Sequence, residues 1–425
     1  MISKTKNLFF RTFWQTPQVL DASDIKEARE YIKQFWPHLT RVQRDDVDTL
    51  IGLPNPYLVP AYNESSAFTF DEMYYWDSYF MVQGMLGDPK NKQLVMGILD
   101  NLFFLIKRYG MVPNANKTYL ISHSQPPLLT SFVFDVYNAY QLDRRWLEQA
   151  ISYAKKEYYN VWMAEKKPHH HQVYQGLSRY YDVNVHHDLA EAESGWDMTT
   201  RFGRKCLDYL PVDLNTFLYV YESDFMKASE ILQDQEGVVY WRKAAAKRKK
   251  AINSLLWNER RGNFFDFNYK KQSQGAVTSL ASYTTLWAGL ASKSQAKKMV
   301  KNLSRFEAKG GLTTTEDPTM QLVMPGKLAT QWAYPNGWAP LHFFVVYGLS
   351  RYGYRKEARR IAQKWLKTNL SWFQENGVFL EKYNVVAPEK TPAEGLYPLQ
   401  TGFGWTNAIF ERFCQDYIDK PDKNS

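Results

Sequence analysis

Cysteine is almost missing from this chain. Cys206 and Cys414 are its two cysteines in 425 residues, and neither belongs to a CxxC or zinc spacing. A chain so poor in cysteine fits a reducing compartment. No apolar run approaches the length needed to span a bilayer. Residues 1–20 carry Lys4 and Lys6 but no apolar stretch long enough for a signal peptide, and read as an N-terminal extension. A cytoplasmic protein with no membrane partner is expected. Pro/Gly/Ser linkers are lacking, so residues 1–425 read as one domain. No sequence block repeats, which disfavours an open solenoid. Strand signals are few, at 263–268 and 377–381. The net charge of +9 is scattered apart from Lys247 to Lys250, which reads as the solvated face of a helix. No stripe of basic residues alternates with exposed aromatics, which excludes nucleic acid as a partner.

What the chain does have is helical periodicity and aromatic bulk. Apolar residues make up 44%, enough for a large core. The 14 Trp, 29 Tyr and 25 Phe either fill that core or line a carbohydrate cleft, and the cleft is favoured where Trp adjoins a carboxylate. Ile25, Ala28, Ile32 and Phe35 recur at helix spacing behind a Ser23-Asp24 cap, with Pro37 ending the run. Further helices are predicted over 74–85, 93–109 (stopped by Gly110), 126–140, 146–164, 199–209, 213–233, 238–257, 276–291, 294–303, 340–352, 356–374 and 404–417. The polar connector Gln233 to Gly237 suits antiparallel neighbours. About a dozen paired helices in an uninterrupted chain predict an all-α, closed α/α toroid with a central cleft. Five long loops, 53–71, 111–125, 166–195, 310–337 and 377–404, are expected to converge on one end of it.

The loops hold the candidate chemistry. Glu193-Ser194-Gly195-Trp196-Asp197 sets an acid beside a tryptophan, just after a glycine that allows close backbone approach. A carboxyl against such a face loses solvent and its pKa rises, which suits Asp197 to donate a proton. A capped helix start is the competing reading of this stretch. Trp76-Asp77 at a helix start offers a ring platform and a hydroxyl acceptor, or merely a buried Trp and a dipole-stabilised acid. Asn114 and Gln125 bracket a loop containing His123 and Ser124; amides match hydroxyls because they both donate and accept. Gln331-Trp332-Ala333-Tyr334-Pro335-Asn336-Gly337-Trp338 packs aromatics around a turn. Glu381 ends the apolar run 378–380, as a salt-bridge partner or as a base aimed into the cleft. A glycosidase needs two such acids, one to protonate the leaving oxygen and one to activate water or attack.

The motifs YYWDSYF, ESGWD, QWAYPNGWAP, EKYN and YPLQTGFGWTN, in that order from Glu72 to Asn407, resemble the trehalases of glycoside hydrolase family 37. The resemblance implies an (α/α)6 toroid, the six-hairpin glycosidase barrel. It implies cofactor-free inverting hydrolysis of α,α-trehalose, with Asp197 as general acid and Glu381 as general base. It further implies sugar contacts from Trp76, Asp77, Asn114, Ser124, Gln125 and Gly195, and His123, Trp196, Gln331, Trp332 and Trp405 are further candidate cleft residues. Departures from the family pattern fall on its arginines: Thr69, Asp71 and His123 stand where arginines are usual, no arginine segment is clear between Ser178 and Ala192, Ala333 replaces an Asp, and Leu396 replaces an acid with Glu394 close by. His169, His170, His171, His186 and His187 crowd the loop before ESGWD without metal-ligand spacing, as a solvated loop or as replacement donors. The alternatives within this reading are an inverting hydrolase of another small α-glucoside, such as glucosylglycerate, and a non-catalytic carbohydrate-binding homologue.

Overall fold

A computed structural model describes residues 20, 23, 25–63, 69–167, 170–318, 330–393, 395 and 397–420. Its helices alternate between an outer and an inner layer. In chain order they are α1 (Lys26–Leu39, outer), α2 (Tyr75–Gln83, inner), α3 (Lys92–Tyr109, outer), α4 (Leu129–Ala139, inner), α5 (Arg144–Glu157, outer), the short loop helix α6 (His187–Glu193), α7 (Val212–Leu232, inner), α8 (Gln235–Leu255, outer), α9 (Thr284–Trp287, inner), α10 (Lys293–Asn302, outer), α11 (Ala339–Arg351, inner), α12 (Arg355–Asn376, outer) and α13 (Gly404–Tyr417, inner).

Composition decides the layer. Every residue of α2 is buried, as expected of a helix surrounded by protein. In α10, KSQAKKMVKN, only Ala296 and Met299 are buried, so one narrow stripe faces inward. The inner helices pack in sequence, α4 on α7, α7 on α9, α9 on α11 and α11 on α13, and α13 closes back on α2. Tyr79 of α2 meets Phe132 of α4 at 6.2 Å between ring centroids, completing the ring. The result is an all-α (α/α)6 toroid.

Local signals set the helix ends. Asp143 and Asp234 accept from the backbone N–H groups of Trp146 and Gly237, and Ser292 with Gln295 forms a capping box. Gly110 closes α3 with φ +78°. Because Asp234 is a cap, the expected connector 233–237 shrinks to Gln233 and Asp234.

Several expectations are corrected. Pro37 does not end α1; it sits in the last turn, and Thr40 N–H still donates to its carbonyl. Asp24 of the proposed cap lies outside the described residues, and the observed N-cap, Ile25, makes no side-chain bond. The helix expected over 146–164 becomes α5 followed by a wider π turn, Tyr158–Trp162. The stretch 276–291 reduces to a 3-10 turn, Leu280–Tyr283, and α9. No α-helix forms over 199–209. There Thr199 N–H donates to Glu191 Oε1 at 2.7 Å, and Arg201 forks onto Asp213 and Asp266, so tertiary bonds replace helical ones. The strand expected at 377–381 lies instead at Lys382–Asn384, paired with Asn336–Trp338. Arg248 is not part of a solvated face: it is buried and paired with Glu222 at 2.8 Å. Among the described residues no helix is long and apolar enough to cross a membrane.

Candidate active site

A cavity of about 220 Å³ opens where α2 and α13 begin. All five long loops reach it: Pro60 and Phe70, Gln125, Gly195, Trp332, and Tyr397 with Phe403 each come from a different one. Trp76, Asp77, Asp197, Tyr74 and Trp405 complete its wall. Larger hollows exist, including one of about 770 Å³ lined from all six inner helices and holding Asp135, Asp224 and Arg412. The smaller cavity is the one that joins acids to a tryptophan cluster.

That cluster is rigid. Trp332 is sandwiched between Trp338, at 3.8 Å and 4° between planes, and Trp196, at 5.5 Å and 26°. Trp405 meets Trp332 edge-on at 6.1 Å, and Trp76 leans on it at 5.6 Å. Behind Trp196 the Arg201 guanidinium lies 4.3 Å from the ring centroid. Trp196 therefore backs the wall rather than forming it.

The ESGWD segment follows the end of α6, so it is a helix exit, not a capped start. Two buried carboxylates of α6 hold it. Glu193 accepts from Ser124 N–H (2.9 Å), Tyr181 N–H (2.7 Å) and the His171 ring. Glu191 accepts from Thr199 N–H, just beyond Asp197. Gly195, at φ +72°, turns the chain toward Trp76.

Glu381 is fully buried. Its Oε2 lies 3.0 Å from Lys382 Nζ, and its Oε1 accepts from the Tyr397 hydroxyl. Its backbone N–H donates to the Gln400 carbonyl, and its own carbonyl accepts from Trp405 Nε1 at 3.1 Å. Tyr397 thus stands between Glu381 and the cavity. Gln331 donates to the Asp197 carbonyl at 2.6 Å and accepts from Lys382 Nζ at 3.0 Å.

Environment separates the acids. Asp197 is partly exposed to the cavity and otherwise enclosed; burial pushes its carboxyl up to about 7, and the charge of Glu381 adds to the rise. Burial also lifts Glu381, but Lys382 and the Tyr397 hydroxyl oppose that rise. Asp77, in the first turn of α2, is raised well above the usual carboxylate range by burial and by Asp197.

Of the residues singled out from sequence, Trp76, Asp77, Gln125, Gly195, Asp197, Trp332 and Trp405 border the cavity. Gln125 also accepts from Trp76 N–H at 3.0 Å, fixing the start of α2. Asn114, His123 and Ser124 lie one layer back. Asn114 donates to the Ser124 carbonyl, Ser124 Oγ to Val112, and His123 meets Asp182 at 2.7 Å. Three described histidines of the 166–195 loop are engaged elsewhere: His171 on Glu193, His170 stacked on Tyr181, and His187 accepting from Leu207 N–H. His169, Glu394, Leu396 and residues 65–68 lie outside the described residues. Tyr397 and Lys382 were missed by sequence reasoning, although the Lys directly after Glu381 was a visible charge signal. Among the described residues no group of three or more His, Cys, Asp or Glu is placed to hold a metal ion.

The family model described as Trehalase matches residues 11–192 and 181–417. Neutral trehalase Nth1 from Saccharomyces cerevisiae is similar at 25% identity, over 93% of this chain and 94% of that one, with a TM-score of 0.79. The GH63 mannosylglycerate hydrolase from Thermus thermophilus, in complex with glucose, is similar at 17% identity, over 91% and 99%, with a TM-score of 0.67. The latter likeness concerns the fold alone.

Proposed function

The chain belongs to the trehalase family and is a glycoside hydrolase, and from that premise we propose that it hydrolyses α,α-trehalose to two glucose molecules with inversion, using Asp197 as general acid and Glu381 as general base. The observation that carries this reading is the contrast between the two carboxyls. Asp197, with no cation bonded to it among the described residues, holds its proton up to about pH 7. Glu381 is lifted by burial too, but the Lys382 ammonium on its Oε2 opposes that rise and favours its anion where Asp197 has no such partner. Two titratable groups in opposed environments are the usual sign of an acid and base pair.

One glucose unit would sit between Trp76, Trp332 and Trp405, with Asp77 accepting its hydroxyls. Asp197 gives its proton to the glycosidic oxygen as the C1–O bond breaks. Glu381 takes a proton from a water that attacks C1 from the opposite face. The Tyr397 hydroxyl, now on Glu381, must yield its place to that water. The attacked glucose leaves as the β-anomer and the other as the α-anomer; atoms balance with one water consumed. The step needs no metal or cofactor. The same reading treats the chain as a single catalytic domain and places it in the cytoplasm, a location that suits the unpaired, buried Cys206 and Cys414.

The test is proton NMR of trehalose hydrolysis at early times. Equal first-formed α- and β-glucose supports the proposal. Release of α-glucose alone means retention, and Glu381 then has another role. No glucose at all removes trehalose as substrate.

A further inference from the structure

Lys382 is fully buried, next in sequence to Glu381 and paired across the short sheet with Trp338. A buried ammonium is costly, and an apolar side chain of similar length would fill the space. Its Nζ instead makes two bonds of 3.0 Å, to Glu381 Oε2 and Gln331 Oε1, with the Trp338 ring centroid 5.3 Å away. Gln331 is itself pinned: its carbonyl accepts from Asn336 Nδ2 and Trp338 Nε1, at 3.0 and 3.1 Å. Its amide then spans from Lys382 to the Asp197 carbonyl, 2.6 Å away. One unbroken run of polar contacts thus joins the two segments that carry the acids.

We infer that Lys382 and Gln331 form a positioning strap, in which Lys382 orients the Glu381 carboxylate and Gln331 sets the Asp197 segment at a fixed distance from it. The inference rests on the acid and base roles proposed above. Gln331, which sequence reasoning places among the sugar contacts, spends both ends of its amide on this strap. Neither residue needs to touch the substrate. Removing the ammonium leaves the Glu381 carboxylate held only through Tyr397 and without its buried cation. Removing the amide keeps the Lys382–Glu381 pair and releases only the Asp197 side.

The experiment compares Lys382→Met, Gln331→Met and Glu381→Gln by circular dichroism and by pH profiles of trehalose hydrolysis. Folded Lys382→Met should lose about tenfold or more in kcat with KM little changed, a size usual for outer partners of a reacting group. Its acid limb in kcat/KM should move up by about one pH unit, since the base is then harder to ionise. Gln331→Met should lose about tenfold in kcat with the acid limb in place, and it decides the matter if Lys382→Met fails to fold. A merely structural pair would change the melting temperature and leave kcat and the limb of the folded enzyme alone, which overturns the strap. If Glu381→Gln is inactive while both Met variants match wild type, the strap alone is wrong. If Glu381→Gln keeps its turnover, the base assignment falls and the strap with it.

Discussion

Gly195 and Trp76 meet too closely for any side chain between them. A methyl group at Gly195 would lie 2.6 Å from Trp76 Cζ2, and the backbone there has φ +72°. The glycine of ESGWD therefore does two jobs: it turns the chain toward the acid and lets the backbone rest on the indole that walls the cavity. Gly195→Ala must move Trp76 or the Asp197 loop. A loss of about 1–3 kcal/mol in stability is expected from strain and clash together. A shift approaching 1 Å at Asp197 would lower kcat/KM by up to about 100-fold. Thermal melts and steady-state kinetics check both; wild-type kcat/KM in the variant would show that the loop adapts freely.

The proposed acid and base, Asp197 and Glu381, are open to direct substitution. Asp197→Asn cannot protonate the leaving oxygen, and Glu381→Gln cannot accept a proton from water. Each should cut kcat by about 100- to 10,000-fold while the far-ultraviolet circular dichroism stays unchanged. Near-normal rates in either variant would remove that residue from the mechanism.

Much of this was legible in the sequence because the signals are local. Layer assignment follows from composition, as in the fully buried α2 and the lysine-rich α10. The ESGWD and Trp76-Asp77 segments could be placed at a cavity because Trp beside a carboxyl marks a desolvated acid. What could not be read depends on long-range partners. Thr199 to Tyr209 has helical spacing, but Arg201 binds Asp213 and Asp266 and holds the chain in turns. Arg248 sits in a basic run yet turns inward to Glu222. Tyr397 and Lys382 gain meaning only once Glu381 is seen between them.

Asp197 also links activity and stability to pH. Its folded value of about 7 stands above its ordinary 3.8. Between those values the native state binds the proton and the unfolded chain does not. The stability this group lends is thus whole below about pH 4 and is lost as pH rises toward 7. Asn carries no charge and escapes the loss. Melts of wild type and Asp197→Asn should coincide in trend below pH 4 and then diverge, the variant gaining on the order of 1–4 kcal/mol by pH 8. A difference independent of pH would mean that Asp197 titrates as an ordinary carboxyl. In the wild type, kcat/KM should fall as pH rises past about 7, because the acid loses its proton.

Substrate choice turns on what grips the sugar. Trehalose is neutral, so hydroxyl donors and acceptors must recognise it. Arginine offers five fixed donors, and the sequence resemblance places Thr69, Asp71 and His123 where arginines would be expected. The basic groups nearby are already engaged: His123 on Asp182, Lys117 within 3.7 Å of Glu72, and Arg179 on the His170 and Leu207 carbonyls. Among the described residues the polar wall of the cavity is Asp77, Asp197, Gln125, Tyr74 and Tyr397, rich in acceptors and short of cationic donors. Each missing charged donor would cost about 1.5–3 kcal/mol of transition-state binding where nothing replaces it. Trehalose hydrolysis should therefore be detectable, with kcat/KM well below that of an arginine-bearing family member assayed alongside. The measurement is a panel of trehalose, sucrose, maltose, kojibiose and glucosylglycerate at equal concentrations. Rapid cleavage of another member with no glucose from trehalose would reassign the substrate while leaving the toroid and the two acids in place. Slow cleavage of trehalose alone would instead show that tryptophan stacking and Asp77 suffice to hold a neutral sugar without the arginines.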